Sequence, residues 1–458
     1  MTDTDPNTPS VEQMHAAADV YAAGRYAQAF VLAQKLTEKF PEHSFGWKLM
    51  GTSCAQIGQH EMAVDLLRKS IAIWPYDAEA YCNLAVFLDK IGQLEASIES
   101  GICALEIEPD YAGAHNQVGS VSYRMGRLDE ALSSLSNSIR IDPGYQLARF
   151  NLGLTLLTLG RYAEAWPLHE DRNADSVYGA RGSIPDLPFP FWSGEPLQGK
   201  SLLLWPEQGF GDYVQFIRYA RLLKGRGLSR LTIRCPAPLK DLLATATGVD
   251  EVMTDSEPVP PHDYWSFPLS LPLHFGTTVD SIPASLPYLR ALPDRLDWWR
   301  ERLPKGFKVG LVWKGSTVHA NDAQRSLTAL DALRPLWSIP GISFVSLQKG
   351  AGEDEARDTE LPIVDLGSDI RDFADTAAIV DQLDLVICVD TAVAHVAGAL
   401  GKPCWVLLPA IGCDWRWMQD RTDSPWYPGA LRLFRQKRRG DWSSVIDEVA
   451  NALREFVR

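Results

Sequence analysis

The sequence predicts an all-helical repeat array followed by an α/β half with two parallel-sheet lobes, and three observations predict it. Short strings built on glycine, Gly24-Arg25-Tyr26, Gly58-Gln59-His60, Gly92-Gln93-Leu94, Gly126-Arg127-Leu128 and Gly160-Arg161-Tyr162, recur every 34 residues. Pro41, Pro75, Pro109 and Pro143 follow at the same interval. From Ser201 the helical spacing gives way to short apolar runs separated by helical stretches, the alternation that builds parallel sheets.

Each repeat reads as a pair of helices. Stretches such as Ala131-Leu132-Ser133-Ser134-Leu135 place apolar residues on one helical face, and the proline that follows stops the second helix because it cannot donate to the preceding turn. Alanines at Ala29, Ala63, Ala96, Ala131 and Ala165 are expected where the two helices approach closely. Period and pattern together resemble the tetratricopeptide repeat. One such pair cannot bury its own apolar stripe, so neighbours stack, and the small rotation per unit creates a groove that binds partners.

Composition narrows the function classes. A chain of 458 residues is too long for one ordinary core, so several domains are expected. The first ten residues are polar and acidic, and no window approaches the ~18 apolar residues of a membrane span, which predicts a cytoplasmic protein. Cys54, Cys82, Cys103, Cys235, Cys388, Cys404 and Cys413 form an odd set without a closely spaced pair, an argument against both a zinc site and a disulfide framework. The first three fall inside repeat helices, where small buried thiols pack rather than react. A net charge of -14 repels nucleic-acid backbones and anionic lipid, so any bound phosphate must occupy a locally positive pocket.

Four regions are expected: a repeat array over 8–175, a linker over 176–198, a first lobe over 199–293 and a second over 294–458. The stretch from Ser183 to Gly199 carries four prolines among Phe189, Phe191 and Trp192 and reads as an extended connector pinned by its aromatics. Strands are predicted at Leu202–Leu204, Leu231–Ile233, Val309–Val312, Ser343–Val345, Leu385–Ile387 and Trp405–Leu408, with a helix over Asp294–Leu303. In such sheets ligands collect beyond the carboxyl ends of the strands, and the chemistry-bearing motifs fall there.

The first strand runs into Glu207-Gln208-Gly209-Phe210-Gly211-Asp212. Two glycines let backbone approach a ligand, while Asp212, at a helix start, is also a good capping residue. The strand ending at Val312 precedes Trp313-Lys314-Gly315-Ser316 and then Asn321, Arg325 and Ser326, a donor-rich loop suited to phosphate or simply solvated. Asp390-Thr391 follows Leu385–Val389 and opens the helix Ala392–Leu400, whose N-terminal N–H groups favour an anion. His395, four residues after Thr391, shares its face. Gln348 closes another strand, and Trp415 and Trp417 lie in a late tryptophan-rich segment that either stacks a ligand or locks a loop.

Gly211-Asp212, Lys314 and Asp390-Thr391-Ala392-Val393-Ala394-His395 together resemble the signature of the lipopolysaccharide heptosyltransferase family, from about residue 199 to the C-terminus. The repeat-plus-transferase layout is similar to protein O-GlcNAc transferases. The resemblance implies a GT-B fold of two Rossmann-like lobes, with Asp212 as catalytic base. It also implies that Lys314 holds the diphosphate of a nucleotide-sugar and that Asp390, Thr391 and His395 form the phosphate-cradling turn. Arg325 and Gln348 join the nucleotide-sugar side as expected contacts, and Glu207, Gln208, Gly209, Gly211, Asn321, Ser326, Trp415 and Trp417 support the cleft. No Asp-x-Asp metal motif follows a suitable strand. The expectation is therefore a metal-independent, inverting glycosyltransferase that needs no cofactor beyond its nucleotide-sugar substrate and acts on a protein acceptor recruited by the repeats. The rival is an inactive scaffold whose α/β half packs or binds nucleotide.

Overall fold

In a computed structural model, residues 8–174, 177, 184–207 and 209–457 are described. Gln208, Ser183 and most of the stretch preceding it lie outside them. The chain divides into two compact units, Met1–Thr155 and Leu156–Arg458.

The first unit is a run of antiparallel helix pairs: α1 (Val11–Ala22) with α2 (Tyr26–Lys39), α3 (Ser44–Gln56) with α4 (His60–Ile73), α5 (Ala78–Lys90) with α6 (Leu94–Ile107), and α7 (Ala112–Arg124) with α8 (Leu128–Ile141). The periodic glycines make the turns within the pairs. Gly24, Gly58, Gly92 and Gly126 have φ between 73° and 83°, a left-handed conformation that glycine alone adopts without strain. Each periodic proline lies two residues beyond its helix. The residue before it, Phe40, Trp74, Glu108 or Asp142, sits at φ near -130°, pushed out of the helical region by the proline ring.

Small residues mark the closest helix contacts. A Cβ added to Gly119 would lie 2.6 Å from Leu135 Cγ. Ala29, Ala63 and Ala131 are fully buried. Ala96, however, is out of register, and the buried position in that repeat belongs to Ser97. Its hydroxyl donates to the Ala85 carbonyl at 2.6 Å, which satisfies the one polar group that alanine would not have brought inside. Cys54 and Cys82 are buried within the helices, and burial pushes their thiols up.

Helix Gln146–Thr158 spans the division between the units, and Tyr162–His169 belongs to the second. The division into compact units therefore falls inside the fifth repeat rather than at its end. The physical reason lies in the fifth repeat's aromatics: Trp166 Nε1 donates to Thr277 O at 2.7 Å, and Tyr162 accepts from Trp426 Nε1 at 3.0 Å.

The rest of the second unit carries two parallel sheets. β1 (Ser201–Leu204), β2 (Arg230–Arg234), β3 (Glu251–Met253) and β4 (Tyr264–Ser266) are ordered β3-β2-β1-β4. β5 (Phe307–Val312), β6 (Ile342–Ser346), β7 (Ile363–Asp365), β8 (Leu385–Val389), β9 (Cys404–Leu408) and β10 (Leu431–Arg435) are ordered β10-β9-β8-β5-β6-β7. All six predicted strands are present. β3, β4 and β7 are three residues long and too short to show a period, and β10 alternates Leu431-Arg432-Leu433 at a sheet edge. The connector is extended and pinned as expected: Trp192 N donates to Trp265 O at 2.7 Å, and Trp265 N to Pro190 O at 3.0 Å. Helix Pro293–Arg300 begins the segment leading to β5.

Strand order reverses beside β1, between β2 and β4, and beside β5, between β6 and β8. Chains leaving adjacent strands in opposite directions open a crevice at such points. The loops after β1, β5 and β8 are the ones that carry Asp212, Lys314 and Thr391.

Candidate functional site

The site is built where helix Phe210–Phe216, which follows β1, packs on helix Ala392–Ala399, which follows β8. Gly211 makes that approach possible, since a Cβ there would stand 2.7 Å from His395 Cδ2. Asp212 sits in the first helical turn and accepts from the Gly209 N–H at 2.7 Å through Oδ2. It caps the helix and, through Oδ1, also accepts from Arg416 Nη2. The capping reading is thus observed, and the same carboxylate is also ion-paired with Arg416.

Arg416 is the hub. Its guanidinium is 7% exposed; it donates to Asp414 at 2.9 and 3.0 Å and to Gln215 Oε1 at 2.5 Å, besides Asp212. Burial drives the Asp212 carboxyl above its ordinary range, and the Arg416 charge only partly opposes this. Burial also acts on Asp414, but there the Arg416 charge and hydrogen bonds prevail and hold it below that range. Asp390 is pushed up to about 6 by burial and by Asp414, with Arg325 opposing.

His395 is buried against Trp417, whose ring lies 5.4 Å away and nearly parallel, and its Nδ1 is 2.7 Å from Tyr427 Oη. Burial, aided by the Arg416 charge, lowers its pKa to about 3, so the imidazole is neutral at physiological pH. Tyr427 is fixed in turn by Arg218, whose guanidinium lies 4.7 Å from its ring centre and donates to Trp426 O at 2.6 Å. Thr391 caps its helix by accepting from the Val393 N–H at 3.1 Å, and its side chain stays partly exposed at the rim.

The loop after β5 closes the other side. Gly315 N donates to Ser326 Oγ at 2.8 Å, and Ser326 Oγ to Asp322 Oδ1 at 2.8 Å. Arg325 lies over Gly315, where a Cβ would meet its guanidinium at 2.7 Å. Asn321 Nδ2 donates to Gly412 O at 2.6 Å, which ties this loop to the one after β9.

Several expected contacts are placed otherwise. Lys314 Nζ pairs with Glu355, which also accepts from Trp313 Nε1 at 3.0 Å. Gln348 does not present its amide to the cleft: Oε1 accepts from the Trp313 and Lys314 N–H groups at 3.0 Å, while Nε2 donates to Lys314 O and Ala351 O at 3.1 and 2.8 Å. It clips the strand end that presents Lys314. Glu207 is bound by Arg172 Nε at 3.0 Å and by the Leu269 N–H at 2.8 Å, and it anchors the loop after β1. Trp415 and Trp417 are buried to 3% and 0% exposure. Trp415 packs edge-on against Tyr162, Trp166 and Trp426, so these rings lock the loop and leave no free face for a sugar. Gln208 lies outside the described residues.

Asp414, Arg416 and Tyr427 lie in the late segment that the sequence carries to the cleft, but sequence reasoning assigned a role there only to the tryptophans. The one available signal was an arginine two residues after an aspartate in a loop otherwise noted for its tryptophans.

Comparison with known proteins bears on the repeats most directly. Family models described as tetratricopeptide repeat match residues 78–111 and 119–172, so the helix pairs are tetratricopeptide repeats, a fold that mediates protein interaction. Protein FlbA of Caulobacter vibrioides is 30% identical over 321 residues, 64% of this chain and 52% of that protein; the chain thus spans about half the length of this curated relative. Among solved structures, MamA matches at 24% identity over 34% of this chain and 91% of its own, with a TM-score of 0.31. YrrB, titled a TPR protein with an unusual peptide-binding site, matches at 20% identity over 36% and 84%, with a TM-score of 0.31. Among the described residues no helix is long and apolar enough to cross a membrane.

Proposed function

We propose that the second unit is an inverting glycosyltransferase of GT-B type that moves a sugar from a nucleotide-diphosphate donor to a hydroxyl, on a protein brought in by the repeats. The observation that carries this reading is the contact between the Asp212 helix and the Thr391–His395 helix across Gly211. It sets the helix that carries Asp212 against the helix that begins at Thr391, whose N-terminal end suits an anion.

In this reading Asp212 takes the proton of the acceptor hydroxyl as that oxygen bonds to the anomeric carbon. The bond from that carbon to the diphosphate breaks, and the nucleoside diphosphate leaves with the electron pair. A carboxyl raised by burial is a stronger base, and such a group contributes ~10²–10⁴ in rate. Lys314, Arg325 and the positive dipole end of the helix after Thr391 stabilise the departing charge. His395, buried and neutral, supports the turn by packing and contributes no charge.

One observation favours the scaffold reading instead: Asp212 and Lys314 are already paired within the chain, with Arg416 and Glu355. Thermal-shift screening with UDP, ADP and GDP sugars separates the two. A donor at about one hundred times its dissociation constant adds about 2.7 kcal/mol. The enzyme reading further expects that Asp212→Asn abolishes transfer, followed by intact mass, while leaving that stabilisation unchanged. A flat panel, or full turnover in Asp212→Asn, sinks it.

A further inference from the structure

The second helices of the repeats hold a cleft of their own. α5 and α7 pack on one another, whereas α6 and α8 diverge, leaving a cleft of about 560 Å³ between them. Second helices form its walls, and α7, a first helix, contributes His115 and Val118. Ile98, Ile102 and Leu105 run along α6 at helical spacing and, with Val118 and His115 of α7, line one side; Asp129 and Glu130, in the first turn of α8, line the other, with Arg127 Nη1 3.8 Å from the Glu130 carboxylate.

The repeat supplies its own control. Ile102 is 46% exposed, and 34 residues to either side the same position carries Arg68 and Ser136, with Gln34 one repeat further back. Three repeats thus place a polar residue where this one exposes an aliphatic side chain. α6 also carries Glu95, Glu99 and Glu106 without a single lysine or arginine. A second copy of the chain would bring acidic rim against acidic rim, and the chain as a whole has a net charge of -14.

We propose that this cleft docks a basic amphipathic segment of a partner protein, with aliphatic side chains set on Ile98, Ile102 and Leu105 and lysine or arginine facing Asp129 and Glu130. Helices in grooves are read through such i, i+4, i+7 anchors, and opposite charge at the rim selects the partner. The inference does not depend on the second unit being an enzyme.

The test uses the full chain and two fluorescein-labelled amphipathic helical peptides that share one leucine face, one flanked by lysines and its twin by glutamates. Anisotropy should report binding of the lysine peptide. Ile102→Arg, which installs the residue found at Arg68, should weaken it about tenfold. Asp129→Lys with Glu130→Lys should weaken the lysine peptide and let the glutamate peptide bind, while Asp65→Lys, at a carboxylate 75% exposed on another repeat, should leave the lysine peptide unaffected. Circular dichroism confirms that each variant folds. Equal weakening by Asp65→Lys would show mere charge attraction and overturn the proposal, as would no binding by the chain or an Ile102→Arg variant that binds like the parent.

Discussion

His395 and Asp390 titrate in opposite senses, and stability should register both. His395 is held neutral to about 3 in the folded chain but protonates near 6.5 when unfolded. The unfolded state therefore binds more protons below that value, so this contribution is complete above pH about 6.5 and is lost on acidification. Asp390, raised to about 6 against about 3.9 unfolded, does the reverse: the folded state holds the extra proton, and stability from this group falls as pH rises through 6. Between about pH 7 and pH 5, His395→Phe should remove about 2 kcal/mol of acid-dependent loss and Asp390→Asn about 1 kcal/mol of acid-dependent gain. Urea unfolding at the two pH values reads both. Parallel slopes in parent and variants would mean that neither group is held as described. The sequence pointed to both residues through Asp390-Thr391 and the four-residue spacing to His395. It could not show Arg416, whose charge matters only because a loop more than two hundred positions away returns to Asp212.

At the scale of elements, the closeness of two helices decides what a single methyl group does. Gly211 faces His395, whose ring is stacked on Trp417 and hydrogen-bonded to Tyr427, and cannot yield. Gly211→Ala should therefore destabilise by about 1–3 kcal/mol through overpacking. Gly225, which ends the helix Ala220–Gly225, has nothing within 4 Å of an added Cβ and no positive φ. Gly225→Ala should stabilise by about 0.4–1 kcal/mol by restricting the unfolded chain. Denaturation midpoints of the pair make the comparison, and like-signed shifts would contradict it. The repeats were legible at this scale because each turn demands a glycine at φ > 0 and each helix end a proline. Ala96 was misplaced by one position because its neighbour Ser97 occupies the buried site, and burial is not visible in residue type alone. Strands β3, β4 and β7 escaped notice because three residues carry no measurable alternation.

At the scale of the molecule, a net charge of -14 sets the two proposed ligands apart. Attraction between a lysine-rich peptide and the acidic cleft acts at exposed side chains, and salt screens it within about a Debye length. Raising salt from about 50 mM to about 500 mM should weaken the peptide at least about tenfold. A nucleoside diphosphate, held by backbone N–H groups and partly buried cations against an overall negative field, should change far less. Titrations at the two salt concentrations compare them, and equal losses would place the peptide's binding outside the cleft or the nucleotide's outside the β5 and β8 loops.

Local and periodic features are legible along the chain: the helix pairs, their turns, six strands of the two sheets and the loops that carry Asp212, Lys314 and Thr391. These follow from backbone rules that act within a few residues. The tertiary structure alone decided strand order, which placed those loops at reversal points, and it decided which charges meet. Lys314 turned to Glu355, Gln348 to the backbone of Trp313, Lys314 and Ala351, and Arg416 to Asp212 because charges and amides drawn into the fold must find partners wherever it brings them, and no spacing along the chain encodes that choice.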